Sequence, residues 1–310
     1  MTHTSYLITG GTGSFGQAFA RHLLDAGAER VAILSRDEAK QAAMREAFAH
    51  DGRLRFMVGD VRDRDRLYRA MQEVEVVVHA AALKRVEVAE VDADECVKTN
   101  VVGTMNVIEA ATDAQVQKVV LLSTDKACAP LNAYGASKLL AEKQMLAAQA
   151  KRGRTGPRCA VTRYGNVAGS RGSVIPVWRE ALRRGERIFV TDPEMTRYWM
   201  RMDEAVQLVA WTIATMEGGE LVVPDLPAYR LGDLAGAMAR TWHCSAPRPG
   251  EKKHEAMIGP EEMHLFRRVG TYFVARAGDP PPDELDEPHS SDRARRLSFV
   301  ELKTLLQEVG

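Results

Sequence analysis

Tyr134 and Lys138 stand four residues apart in a stretch whose pattern predicts a helix, so their side chains share one face. An ammonium beside a phenol favours the phenolate. Such a phenolate can take the proton from an alcohol while hydride leaves the same carbon. Thr124, at the end of the apolar run just upstream, could hydrogen-bond that alcohol. Asp125 and Lys126 follow immediately, and at the carboxyl end of a central strand they would point into a crevice. Simple oxidation has no use for a second acid–base pair. Elimination of water does: a base removes the proton beside the new carbonyl, and an acid protonates the departing hydroxyl. The spacing alone fits a surface ion pair equally well.

Hydride needs an acceptor, and the first apolar run leads into one. Thr9-Gly10-Gly11-Thr12-Gly13-Ser14-Phe15-Gly16 has the spacing GxxGxxG between a predicted strand and a predicted helix. Gly10 allows the sharp turn, Gly13 admits a pyrophosphate, and Gly16 lets the helix pack closely. The helix N-terminus then offers N–H groups to the phosphates. The second strand ends at Ser35-Arg36, where an NAD site usually carries an acid. A guanidinium suits a 2′-phosphate, which favours NADP. A solvated surface arginine is the alternative, with Asp37 and Glu38 close by. Asp60-Val61, ending the third strand, could meet the adenine. An oxidised nicotinamide would add positive charge beside Tyr134, and would lower the pKa of Lys126 so that it serves as the base.

The elements that position these residues alternate. Short apolar runs lie at Tyr6–Thr9, Val31–Ser35, Leu54–Val58, Val74–His79, Val119–Thr124 and around Cys159–Arg163. Helical patterns lie between them at Phe15–Ala26, Asp37–Phe48, Asp63–Gln72, Asn100–Ala111 and from Tyr134 to about Lys151. This predicts an α/β, doubly wound parallel sheet of Rossmann type, with a smaller C-terminal substrate lobe. The expected division is 1–164 for the cofactor, with 196–218 returning to it, and 165–195 and 219–310 for the substrate. Gly278–His289, with three prolines in a row and five acids, reads as an exposed excursion.

Composition narrows the class. The chain has 310 residues, and its 42 basic and 42 acidic side chains balance, which gives no electrostatic reason to expect nucleic acid or an anionic membrane. Its four cysteines form no CxxC pair, so neither a disulfide framework nor a metal site is expected. No segment has the apolar length of a signal peptide or a membrane span, and a cytoplasmic location is the expectation.

Tyr, Lys and Thr with a glycine loop resemble the short-chain dehydrogenase/reductase superfamily in its extended, sugar-nucleotide branch. Longer strings narrow this: LITGGTGSFG at Leu7–Gly16, SRDE at Ser35–Glu38, GDVRD at Gly59–Asp63, HAAALK at His79–Lys84, STDKA at Ser123–Ala127 and YGASK at Tyr134–Lys138. RYGNVAGSRGSV at Arg163–Val174, MTRYW at Met195–Trp199 and RPGEK at Arg248–Lys252 complete the set. Together they resemble the inverting UDP-N-acetylglucosamine 4,6-dehydratases, the first enzymes of pseudaminic acid synthesis. The resemblance implies Lys126 as C5 base, Asp125 as acid, and Tyr134 and Lys138 as the redox pair with Thr124 beside them. It implies an NADP surface of Gly10, Thr12, Gly13, Ser14, Phe15, Gly16, Ser35, Arg36, Asp37, Lys40, Asp60, Val61, Ala80 and Ala81, with Lys84 between cofactor and substrate. Around a UDP-sugar it implies Leu122, Ser123, Asn166, Val167, Gly169, Ser170, Arg171, Val174, Thr191, Arg248 and Glu251. A homo-oligomer is expected.

Retaining relatives carry Asp-Glu where this chain has Asp125-Lys126, which points to inversion at C5. Arg85 and Glu87 are more polar than the family pattern, and the tail after Ala277 is shorter and more acidic. A 4-epimerase or a retaining dehydratase is the nearest rival, and a catalytically silent NADP-binding regulator the rival from another class.

Overall fold

The computed structural model describes residues 4–246, 249–276, 285 and 287–309. Six strands form its parallel part: β1 (Ser5–Thr9), β2 (Arg30–Ser35), β3 (Leu54–Val58), β4 (Val76–His79), β5 (Lys118–Thr124) and β6 (Arg158–Tyr164). They lie in the order β3-β2-β1-β4-β5-β6, so the order reverses between β1 and β4. The crevice at the carboxyl ends of the strands opens at that reversal.

Side-chain alternation decides the layers. Tyr6 and Ile8 of β1 pack into one apolar cluster, with Phe19 and Leu23 of helix α1 (Ser14–Asp25) and with Val206, Val209 and Ile213 of helix Met202–Thr215. Leu7 points the other way, into a cluster with Val107, Leu121 and Met145. Both sheet faces are therefore covered, as runs without polar alternation require. His79, buried at the end of β4, ties the elements together. Its Nδ1 lies 2.7 Å from Thr9 Oγ1 and its Nε2 3.2 Å from Thr104 Oγ1. Burial pulls its pKa down to about 3.

The chain beyond residue 219 departs from the expected division. Glu220–Pro224 pairs parallel to β6, Tyr272–Arg276 pairs antiparallel to it, and Phe266–Val269 forms the outer edge. The region assigned to a separate substrate lobe thus supplies three strands of the central sheet. Leu221, Val222 and Val223 are buried there, the pattern of a strand covered on both faces. A smaller core remains to the side, where Trp178, Ile188, Trp199, Tyr229, Leu234 and Leu302 pack together. Part of Gly278–His289 lies outside the described residues.

The helix expected from Asn100 starts earlier. Short helices at Val86–Val91 and Ala93–Val97 lead through a π-helical turn, Lys98–Val102, into the helix Gly103–Asp113. Such turns redirect side chains. Here Asn100 accepts from Leu83 N at 2.8 Å, and its amide donates to Leu83 O and Ser137 Oγ at 2.9 Å each.

Candidate active site

The glycine loop has the shape its residues permit. Gly10 has φ +65°, and a Cβ there would lie 2.8 Å from Ala81 Cα. A Cβ at Gly16 would lie 2.5 Å from Gly11 Cα, so α1 touches the loop backbone to backbone. Gly13 caps α1 with no side chain over the helix end. Phe15 stacks on Phe19 inside the protein, and Thr12 is buried with its carbonyl accepting from Gln17. Ala80 N donates to Thr9 O, which brings Ala80 and Ala81 alongside the loop. This bare cradle at a helix N-terminus fits a dinucleotide pyrophosphate.

At the far end of the crevice, Gln41 donates to the Ser35 hydroxyl and carbonyl, both at 3.1 Å. Arg36 is two-thirds exposed, 3.6 Å from the Asp60 carboxylate. Asp60 also accepts from Arg62 at 2.7 Å. Partial burial pushes the Asp60 pKa up, but Arg62 and Arg36 outweigh it and leave it lowered. Asp37 and Lys40 pair with each other at 2.6 Å. Val61 is buried against Gly103, where a Cβ would come within 2.7 Å of it.

The chemistry-bearing corner is built where β5 ends. Thr124 Oγ1 donates to Asp125 Oδ1 at 2.9 Å, and Asp125–Ala127 form a single 3-10 turn. Lys126 Nζ donates to the same Asp125 oxygen at 3.0 Å and reaches Asn166 Oδ1 at 3.5 Å. It also pairs with Glu255 at 3.2 Å. The side chains of Asp125, Glu255 and Lys126 are 1%, 2% and 21% exposed, which rules out the surface ion pair. Burial raises the Asp125 pKa. Burial lowers that of Lys126, but Asp125 and Glu255 reverse the sign, and it is raised. Among the protein's own groups Asp125 and Glu255 thus set the direction for Lys126, and the sequence did not reveal the second of these carboxylates. Among the described residues Asp125 Oδ2 is buried with no hydrogen-bond partner.

Helix Ala133–Ala150 brings Tyr134 to the same corner, hydrogen-bonded to Thr124. Burial pushes the Tyr134 pKa up to about 12, while the Lys126 charge and the Thr124 bond oppose that rise. Lys138 points elsewhere than expected. Its ammonium donates to Leu122 O at 2.7 Å, and burial draws its pKa down to about 8. The cation that favours the Tyr134 phenolate is thus Lys126. Gly135 sets the spacing between helix and turn: a Cβ there would lie 2.2 Å from Lys126 O.

Ser123 departs from its expected place against substrate. Its hydroxyl donates to Glu142 Oε1 at 2.5 Å. Glu142 in turn receives Arg163 at 2.7 and 3.1 Å. Arg163, fully buried, also donates to Met257 O at 2.8 Å and Glu262 at 2.5 Å. Side chains alternate along a strand, so Ser123 turns into this network while Thr124 faces the crevice.

The remaining expected residues fall into two groups. Lys84 Nζ donates to Arg171 O at 3.3 Å, and Arg171 N donates to Ser14 Oγ at 3.2 Å, so the loop through Gly169 and Ser170 reaches the glycine cradle. Partial burial, together with the charges of Arg171 and Arg85, lowers the Lys84 pKa. Val167 is buried beside Met200, and Val174 opens the helix Val174–Arg183. In the second group Thr191 donates to Met195 Sδ, as does Arg197, which also reaches Glu251 at 3.2 Å and Glu255 at 4.0 Å. A continuous series of contacts therefore runs from Thr191 to Lys126. Arg248 lies outside the described residues. Glu255, Asn100, Gly135 and Arg197 were not expected. Glu255 sits three positions past the RPGEK string, and no spacing rule links it to Lys126.

Residues 6–277 match a family described as polysaccharide biosynthesis protein. The chain belongs to this family. Its relatives include the inverting UDP-N-acetylglucosamine 4,6-dehydratase of Campylobacter jejuni, 43% identical over 86% of this chain and 81% of the relative. The UDP-glucose 4-epimerase of Rickettsia rickettsii is 37% identical over 97% and 94%. Among solved structures, Pen from Bacillus thuringiensis superposes with a TM-score of 0.94 at 32% identity, covering 99% and 97%. DesIV from Streptomyces venezuelae, a dTDP-glucose 4,6-dehydratase with NAD and TYD bound, superposes at 0.73 and 26% identity, covering 83% and 89%. The family carries the Rossmann-like fold of the extended short-chain dehydrogenases/reductases. Among the described residues no helix is long and apolar enough to cross a membrane, and no group of side chains could hold a metal ion.

Proposed function

We propose that this protein is a hydro-lyase, a UDP-N-acetylglucosamine 4,6-dehydratase that inverts C5 and uses NADP. Its product would be a UDP-4-keto-6-deoxy-L-hexose, the first intermediate of pseudaminic acid or a related surface glycan. The carrying observation is the buried Asp125–Lys126 pair on the same corner as Tyr134 and Thr124. Gly10, Gly13, Ser14 and Gly16 would hold the pyrophosphate, and Arg36 the 2′-phosphate. When bound, NADP supplies a hydride acceptor at C4 and a hydride donor at C6.

Tyr134 takes the C4 hydroxyl proton, with Thr124 orienting the hydroxyl and Lys126 stabilising the phenolate. The new ketone acidifies the C5 proton. A proton moving from the Lys126 ammonium to the Asp125 carboxylate, 3.0 Å away, turns the ion pair into an amine and a carboxylic acid. The raised pKa of Asp125 favours that form, and the raised pKa of Lys126 opposes it. The amine then takes the C5 proton, the acid protonates the C6 hydroxyl, water leaves, and the ion pair is restored. Inversion follows when C5 receives its next proton on the opposite face.

The test is incubation with UDP-N-acetylglucosamine in deuterated water, followed by NMR. The expected product has a 4-ketone, a C6 methyl, deuterium at C5 and the L configuration. Formation of the C4 epimer without deuterium at C5 would make the protein an epimerase, the activity named for the Rickettsia relative. No change in the sugar with cofactor bound would leave the silent regulator.

A further inference from the structure

The site holds a second buried carboxylate that the redox and elimination pairs do not use: Glu255, 2% exposed and placed just ahead of the short strand Ala256–Ile258. Its Oε1 lies 3.2 Å from Lys126 Nζ and 4.0 Å from Arg197 Nε, and its Oε2 lies 3.8 Å from Lys252 Nζ. Its backbone is fixed from both sides by one residue. Glu255 N donates to Ser291 Oγ at 2.9 Å, and Ser291 N donates to Glu255 O at 2.7 Å. Ser291 Oγ lies in turn 2.6 Å from Thr196 Oγ1, which lies 2.8 Å from His254 Nδ1. A residue held this firmly presents its carboxylate at a set point.

We propose that Glu255 is a positioning residue for the elimination step, holding the Lys126 amine against Asp125 and governing whether it carries a proton. This deepens the reading of Lys126 as the C5 base and rests on it. The lysine has one carboxylate on each side. Asp125 is within reach for proton exchange, whereas Glu255 is surrounded by Lys126, Arg197 and Lys252. Burial pushes the Glu255 pKa up, but those three cations outweigh it and keep the group ionised. Glu255 is therefore a fixed negative charge, and Asp125 the partner that can accept a proton. The other groups facing Lys126 are Tyr134 from helix Ala133–Ala150, Asn166 from the loop after β6, Arg197 from the strand Thr196–Tyr198, and Tyr229 from the strand Ala228–Arg230. Neither tyrosine is ionised at neutral pH, so Glu255 is the permanent anion among them.

Two measurements test this on the full chain. The first needs no substrate: the rate of acetylation of Lys126 by acetic anhydride is followed against pH by mass spectrometry, with exposed Lys303 as internal reference. A neighbouring opposite charge shifts a pKa by about 1–3 units. At a given alkaline pH, Glu255→Gln should therefore acetylate at Lys126 about 10-fold faster or more, and Glu255→Asp should stay near the parent. The second is the pH profile of C5 proton exchange with UDP-N-acetylglucosamine. The pair must hold one proton to work, so Glu255→Gln should move the alkaline fall-off to lower pH by about one unit or more. At neutral pH, where Lys126 still carries its proton, it should leave KM and the C4 oxidation half-reaction near the parent values. Should Glu255→Gln fail to fold, Glu255→Asp still decides. Its charge sits one methylene farther back, so kcat for exchange should fall while the titration of Lys126 is kept. Identical acetylation profiles in parent and Glu255→Gln, or equal loss in both half-reactions, would overturn the proposal. A parent that leaves C5 unexchanged would overturn the dehydratase reading, while the acetylation result still judges Glu255.

Discussion

Replacing Gly135 with alanine adds one methyl group at the contact between the tyrosine helix and the acid–base turn. That methyl carbon would lie 2.2 Å from Lys126 O and 3.1 Å from Lys126 C. Ordinary contact begins near 3.4 Å, so helix and turn must separate by about 1.2 Å. Neither neighbour is a flexible side-chain tip, and both belong to backbone. Overpacking of this kind costs about 1–3 kcal/mol of stability. The larger effect is on geometry, because Tyr134 and Lys126 sit on opposite sides of the contact. A misplacement of about 1 Å can cost roughly 10²-fold in rate. Turnover of UDP-N-acetylglucosamine by Gly135→Ala should therefore fall about 10²-fold, with cofactor affinity unchanged because the glycine cradle is remote. Gly27→Ala serves as the control. Its φ of +89° strains an alanine by about 1–2 kcal/mol, and nothing lies within 4 Å of the new methyl. It should lose stability and keep full turnover. If Gly135→Ala turns over within about twofold of the parent while folded, the separation of helix and turn does not control the chemistry, and the reasoning fails.

Four further outcomes are expected. Tyr134→Phe should lower hydride transfer by about 10²–10⁴-fold with cofactor still bound, measured as reduced-nicotinamide absorbance in single turnovers. Lys126→Ala should stop C5 deuterium incorporation while slow C4 oxidation continues, and exchange at the parent rate would remove Lys126 from the base role. Arg36→Asp should weaken NADP far more than NAD in direct titrations. Protonation of His79 is opposed in the folded state, where its pKa is about 3 against an ordinary 6.5. Its contribution is therefore complete above about pH 6.5 and is lost progressively as pH falls toward 3. Near pH 5 the loss is about 2 kcal/mol, so urea midpoints should fall between pH 7 and 5, and less steeply in His79→Gln.

The parts of the site that were legible are those whose meaning is local. The glycine loop is read from its own spacing, because the turn, the close approach and the helix start fall within eight residues. Thr124, Asp125 and Lys126 are adjacent, so finding one strand end locates all three. Tyr134 was legible for a similar reason, as its helix follows directly. The charge on Lys126 was not legible, because Glu255 reaches it from a distant part of the chain through tertiary packing. Lys138 shares a face with Tyr134 as its spacing requires, but its ammonium is taken up by the Leu122 carbonyl. Ser123 was misplaced because alternation gives two faces without saying which one the substrate occupies. The three outer strands, Glu220–Pro224, Phe266–Val269 and Tyr272–Arg276, lay in the region assigned to the substrate lobe and were not read as strands. Joining them to the central sheet depended on β6 having an open edge, which no local pattern records.

Arg163 has a consequence for how the protein comes apart. Its guanidinium is sealed between Glu142, on the helix that carries Tyr134, and Glu262, on the segment that follows Glu255. Pulling the C-terminal segment away would take Glu262 and the Met257 carbonyl from the guanidinium and leave buried donors unpaired, at a cost of about 1–3 kcal/mol. The C-terminal segment and the parallel part of the sheet should therefore melt together, as one calorimetric transition.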